Sequence, residues 1–177
     1  MGTHTIGINL RRFFLHCCGI LAFFSLTVLI RFPALVNSDY LFDHDSAFMA
    51  AAILNLIGGG EFFFNYEGVN YHGIIGGLTA IQFMHFLGVG SLAFGLPGSL
   101  YYSLYVWSSF LLARKIVPGA AFFVVMLMLF PPPGILNITL KNYTHTEICF
   151  LGNVIFLLFI HAKTKVDNRV GSVFFLG

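Results

Sequence analysis

Between Arg31 and Arg114 the chain carries no Lys or Arg, and five of its seven acidic residues (Asp39, Asp43, Asp45, Glu61, Glu67) crowd into one stretch of that interval. The stretch is flanked by long apolar runs. Cytoplasmic loops of membrane proteins are enriched in Lys and Arg, so an acidic, cation-free loop between such runs belongs on the outer face. The composition points to the same solvent: mean hydropathy is +0.86, with 58% hydrophobic and 9% charged residues. Soluble domains carry about a quarter charged residues, so the bilayer is the expected medium. A net charge of +2, scattered along the chain, excludes nucleic acid as the main partner. Membrane lipids and lipid-borne substrates are the expected ones.

The charges set the number and direction of the crossings. The first apolar run, 13–35, follows Arg11 and Arg12 and is long enough for a hydrocarbon core that takes about 20 residues. A cleaved signal peptide is the competing reading, but Ala34-Leu35-Val36-Asn37 matches a small-x-small cleavage site poorly. From Ile74 to Ala113 no residue is charged, yet Gly88, Gly90, Gly95, Pro97 and Gly98 divide the run. If both pieces crossed, Arg114 and Lys115 would emerge outside; if only 92–113 crosses, they emerge in the cytoplasm. The front piece, 74–87, is therefore expected to lie at the interface. Segment 46–57, too short to span, follows Asp45 or Ser46 as N-cap, stops at Gly58-Gly59-Gly60, and reads as a second interfacial helix. The run 119–140 crosses outward, and Pro131-Pro132-Pro133 must break its helix. Segment 147–162 returns inward, ahead of Lys163, Lys165 and Arg169.

The expected fold is thus an all-α, multi-pass membrane protein. It has four transmembrane helices, an outer loop over 36–91 with two interfacial helices, and a cytoplasmic N-terminus. Seven of nine Lys/Arg then lie inside, only Lys141 lies clearly outside, and Arg31 snorkels from the outer end of the first span. Gly171–Gly177 reads as the start of a further span that is cut short, so the chain is expected to be incomplete. Cys17, Cys18 and Cys149 sit within apolar runs, give no disulfide or metal spacing, and read as buried small apolar side chains. His16, His85 and His161 read as packed or interfacial.

Three polar groups have the chemistry of a site. Asp43-His44-Asp45 places two carboxylates and an imidazole before a helix N-terminus, where the dipole favours negative charge. Such a group suits a general base that takes the proton of an acceptor hydroxyl, and its carboxylates can share a divalent cation. The plain alternative is a solvated loop with an N-cap. The segment from Glu61 to Gly73, with Glu67, Tyr71 and His72, suits sugar and phosphate contacts. An interfacial aromatic belt would explain its Phe and Tyr residues but not Glu67 and His72. Lys141, Tyr143, His145 and Glu147 form a third cluster after the proline break, where Lys141 can pair with a lipid phosphate and Glu147 is costly unless partnered. A snorkelling Lys with a helix-start Glu is the alternative there.

The order of these elements resembles the first outer loop of polytopic GT-C glycosyltransferases. An Asp-containing segment is followed by an apolar helix ending in Gly, then aromatic–Tyr–x–Gly–x–x–Tyr–x–Gly and another helix. These enzymes include the protein O-mannosyltransferase-like and aminoarabinose-transferase-like transferases, which use polyprenyl-phosphate sugars. The resemblance continues through Leu96-Pro97, Leu111-Leu112-Ala113-Arg114-Lys115, Phe130-Pro131-Pro132-Pro133 and the stretch from Lys141 to Glu147, covering residues 39–165. It implies an inverting transfer of a sugar from a polyprenyl-phosphate donor to a hydroxyl of a lipid, glycan or protein acceptor.

By the same resemblance Asp45 stands at the catalytic loop aspartate, with Asp43 as alternate. Lys141 and His145 would hold the donor phosphate, Tyr71, His72 and Glu147 would position the groups, and Glu67 and Tyr143 would join the substrate contacts. Ser46 stands where many relatives carry Glu, which removes one carboxylate from a metal site at that step. Members of the family have more spans, so the chain would correspond to the N-terminal portion, acting with a completing membrane subunit and placed in a bacterial inner membrane rather than the endoplasmic reticulum. The rival readings are a non-catalytic subunit or truncated remnant that binds lipid phosphate, and a small transporter component.

Overall fold

Helix directions in this chain alternate around one central helix. The computed structural model describes residues 10–37, 44–61, 65–66, 69–73, 75–141 and 145–174. In chain order these form α1 (Leu10–Val36), α2 (His44–Ile57), the strands β1 (Asn65–Tyr66) and β2 (Val69–Gly73), then α3 (Ile75–Leu87) and α4 (Ser91–Ile116). A 3₁₀ turn at Pro118–Ala120 leads into α5 (Ala121–Leu129), α6 (Pro133–Leu140) and α7 (His145–Phe174). Among the described residues two helices are long and apolar enough to cross a membrane, over Phe13–Val36 and His145–Thr164, and a third crossing results if the bent pair α5–α6 acts as one span. The antiparallel hairpin, in which Tyr66 pairs with Val69, adds a small strand element to the expected helices.

Local chemistry explains the boundaries. Helix α2 ends in a Schellman motif: the Gly60 N–H donates to the Asn55 carbonyl (2.9 Å), the Gly59 N–H donates to that of Leu56 (3.1 Å), and Gly59 takes φ +86°. Only glycine takes that conformation without strain. Helix α3 ends at Gly88, φ +83°, whose N–H bonds the Met84 carbonyl at 2.9 Å. The glycine-rich interval is therefore broken at Gly88–Gly90 alone, and α4 runs straight through Gly95, Pro97 and Gly98. Helix α2 starts at His44, so Asp45 and Ser46 lie in its first turn and neither is the N-cap. Helix α7 continues to Phe174, so Lys163–Arg169 is helical, and the described part of the segment read as opening another span, 171–174, prolongs α7.

The contacts of α4 fix the directions. Leu35 reaches Gly95 and Gly19 accommodates Trp107, which runs α1 antiparallel to α4. Tyr102 and Val106 cluster with Leu129 and Val125, so α5 is antiparallel as well. Asn153 donates to Ser108 Oγ (3.0 Å) and Ser109 Oγ (2.7 Å). That pairing places the middle of α7 beside the C-terminal half of α4, whose own N-terminal half meets the end of α6. Polar bonds of this kind hold helices together where water is scarce. The Ser and Tyr side chains of α4 accordingly face protein, with Ser99, Tyr102, Ser103 and Ser108 all buried. At its N-terminal end Ala93 and Phe94 join Met49, Ile53, Ala80 and Met84 in a core shared with α2 and α3. Cys18 and Cys149 are exposed and Cys17 is partly so, all three free. None lies in the interior expected for it, and Cys149 borders the cavity described below.

Candidate functional site

Three consecutive prolines leave three carbonyls without their helical donors. Pro131, Pro132 and Pro133 have no N–H to give the carbonyls of Leu127, Met128 and Leu129. Helix α5 accordingly stops at Leu129, α6 starts with Pro133 as its first residue, and the pair is bent by 75°. A substitute donor comes from α4, whose Tyr102 hydroxyl donates to the Met128 carbonyl. The other end of α6 has the matching problem, since its last carbonyls also lack partners. Arg31 answers it: one guanidinium nitrogen donates to the Thr139 carbonyl at 3.2 Å and the other to Thr139 Oγ1 at 2.9 Å.

Arg31 is only 2% exposed, and its guanidinium lies 3.7 Å over the centre of the Tyr102 ring. It does not snorkel outward from the first span. A cation at the negative end of a helix dipole, stacked on an aromatic face, is favoured over one left in hydrocarbon. Gly98 allows the approach, because a Cβ there would stand 3.0 Å from the Lys141 carbonyl oxygen and 3.3 Å from those of Leu140 and Thr139. Arg31, Tyr102, Thr139 and Gly98 thus fasten the broken helix to α1 and α4.

The bend opens a cavity of about 260 Å³ between α4, α5, α6 and the start of α7. Its walls are chiefly the rings of Tyr102 and Tyr105 and the apolar faces of Met128, Pro131, Pro132 and Ile135, and its polar side includes Thr139, His145 and Thr146. Thr146 is 5% exposed, and its hydroxyl has no hydrogen-bond partner among the described residues. Next to it Glu147 is 3% exposed, with one carboxylate oxygen equally unpartnered.

The expected site residues divide as follows. Asp45 is half-buried in the first turn of α2, on the helix that packs against the N-terminal end of α4 through Met49 and Ile53. Lys141 directs its carbonyl at Gly98 near the same end of α4, while His145 lines the cavity. Glu147 is buried beside it. Asp43, Glu67 and Tyr143 lie outside the described residues, and for His44, Tyr71 and His72 only the backbone is described, at the start of α2 and in β2. Among the described residues no three His, Cys, Asp or Glu side chains come together as a metal site. His16 stacks edge-on against Trp107 (5.9 Å) and His85 against Phe86 (5.4 Å); both, like His161, are exposed, so none of the three is packed inside the protein.

Arg31, Tyr102, Thr139 and Thr146 did not stand out in the sequence. A signal for two of them was present: an arginine within an apolar span demands a partner, and a proline triplet demands substitute donors. Comparison with protein-family models, with curated proteins and with solved structures finds no match to this chain.

Proposed function

We propose that the chain is the N-terminal part of a membrane glycosyltransferase of the GT-C kind. It would move a sugar from a polyprenyl-phosphate donor to a hydroxyl acceptor at the outer face, across four crossings formed by α1, α4, the pair α5–α6, and α7. The observation that carries the reading is the gathering of two distant segments at one end of α4. Ala93 and Phe94 hold the helices of the acidic loop, and Gly95 and Gly98 hold the end of α6 that leads to Lys141 and His145. A base on α2 and a phosphate-binding pair after α6 would then work on the same membrane face. Asp45, with Asp43 as alternate, would take the acceptor proton, while Lys141 and His145 would offset the phosphate charge.

Transfer of labelled sugar from a polyprenyl-phosphate donor, by the chain with a completing membrane subunit, tests the proposal. Asp45→Asn should lower turnover by about 10²–10⁴-fold, the range for loss of a general base, with the protein still inserted. Unchanged turnover removes Asp45 from the mechanism. A wild-type protein inactive with every donor would favour the non-catalytic subunit.

A further inference from the structure

The seam between α1 and α4, at the end of α4 opposite α2 and α3, gathers cations and aromatic rings. Trp107, the chain's one tryptophan, lies against Gly19, where a Cβ would stand 2.6 Å from its ring. His16 meets it edge-on at 5.9 Å, Phe110 lies 5.6 Å away, and the Arg114 guanidinium lies 5.5 Å over the Phe110 ring. Because the two helices run antiparallel, Arg12 and Arg114, each seven residues beyond the Gly19–Trp107 contact, come level across the seam. Arg12 also stands four positions before His16, on the same face of α1.

These cations have no counter-charge at hand. Neither α1, α4 nor α5 contains an Asp or Glu. Helix α7 runs alongside α4, with Asn153 at Ser108 and Ser109, so its Asp167 lies about 12 Å past the level of Arg114 at the helical rise. His16 is exposed, about 5 Å into the apolar span that opens at Phe13, and its ring nitrogens have no hydrogen-bond partner among the described residues. A polar ring on the outside of a span calls for a partner from the surroundings. A zwitterionic lipid would bring an ammonium to the two arginines together with its phosphate, whereas an anionic one brings the phosphate without the ammonium. We propose that this seam binds one anionic glycerophospholipid of the phosphatidylglycerol kind. Its phosphate sits at the level of Arg12 and Arg114, accepts a hydrogen bond from His16, and leaves its acyl chains to run along Trp107 and Phe23, whose rings lie 5.4 Å apart. The donor phosphate assigned to Lys141 and His145 belongs near Gly98, about 24 Å from Arg114 along α4. Binding at the seam is therefore independent of sugar transfer and stands if no transferase activity is found.

Trp107 reports the binding itself, since no second tryptophan masks it. The test is quenching of its fluorescence, with the full chain in mixed-lipid nanodiscs, by dibrominated phosphatidylglycerol and by dibrominated phosphatidylcholine. Phosphatidylglycerol should be favoured about five- to tenfold, the worth of one or two arginines at an anionic headgroup. Arg114→Gln should reduce that preference to about twofold or less, and Arg114→Lys, which keeps the charge, should retain most of it. Lys163→Gln removes an exposed cation outside the seam and should leave the preference unchanged. Quenching by the phosphatidylcholine that persists in Arg114→Gln shows that Trp107 still meets lipid in a folded variant. The proposal is overturned if the wild type shows no preference, or if Lys163→Gln loses as much as Arg114→Gln, which would mean general surface charge. It is also overturned if a polyprenyl phosphate displaces the brominated lipid more readily than unlabelled phosphatidylglycerol does.

Discussion

Arg31 and Glu147 are both buried charged residues, yet they are treated in opposite ways. Arg31 bonds both the carbonyl and the hydroxyl of Thr139 and lies flat on Tyr102, so its burial is compensated. Glu147, equally buried, keeps a carboxylate oxygen without a partner, as Thr146 beside it keeps its hydroxyl. Desolvation is offset in part by these partners in the first case and is not offset at the free oxygen in the second. Polar groups that are satisfied within the chain hold the fold together. Those left unsatisfied at the start of α7 do not.

The largest effect that separates the two cases is expected at Arg31. Arg31→Leu removes two charge-assisted bonds and a stacked cation, and should cost about 2–3 kcal/mol in denaturant unfolding from mixed micelles. Arg31→Lys should recover part of that loss, because an ammonium can still meet the Thr139 carbonyl but cannot fork to both acceptors or stack as well. Equal stability of Arg31→Leu and wild type would put the unsatisfied and satisfied charges on the same footing and undo the comparison.

Next in size is the close contact that lets the clamp form. Gly98→Ala sets a Cβ 3.0 Å from a backbone oxygen that has little room to move, and should cost about 1–3 kcal/mol by the same unfolding measurement. Gly134 has open space at its Cβ, and Gly134→Ala in α6 should be neutral or stabilise by about 0.5–1 kcal/mol through helix propensity. Losses of the same size at both positions would mean that Gly98 serves flexibility and not close approach.

How much of this was open to inspection in the sequence follows the range of the interactions. The stop at Gly58–Gly60, the break at Pro131–Pro133 and the two short helices between α1 and α4 depend on neighbours within a turn, and all three stand where the residues placed them. Arg31 was misjudged because its partner Thr139 lies 108 positions away, and the residues around it fit a snorkelling arginine equally well. Gly95 and Gly98 looked like breaks because sequence alone does not distinguish a glycine that frees the backbone from one that admits a neighbour. The exposed cysteines teach the same lesson in reverse: in a bilayer an apolar surface is an ordinary outside, so small apolar character does not imply an interior position. Of the candidate site, the Lys141–Glu147 cluster was legible as chemistry, but its nearness to Tyr102 and the proline break was not.

Smaller effects probe the unsatisfied side. Asn153→Leu should cost only about 0.6 kcal/mol, the average for a polar bond between membrane helices, since Ser108 can still bond the Tyr105 carbonyl (2.9 Å). Glu147→Gln should change stability by less than about 1 kcal/mol in either direction, because no internal bond to the free oxygen is lost and the burden of a buried carboxylate is removed. A loss as large as that of Arg31→Leu would show that Glu147 is held as tightly as the arginine.

The proposed function stands on one geometrical claim, that the acidic loop and the segment between α6 and α7 share the outer face of the membrane. Single cysteines at Asn70, Asn142 and Thr164, with the native cysteines replaced by Ala, test it with an impermeant thiol reagent on intact cells. The expected result is labelling at Asn70 and Asn142 and protection at Thr164 until the cells are opened. Labelling of Asn70 with protection of Asn142, or labelling of Thr164 alone, would place the two halves of the site on opposite faces or on the inner one, and would contradict it.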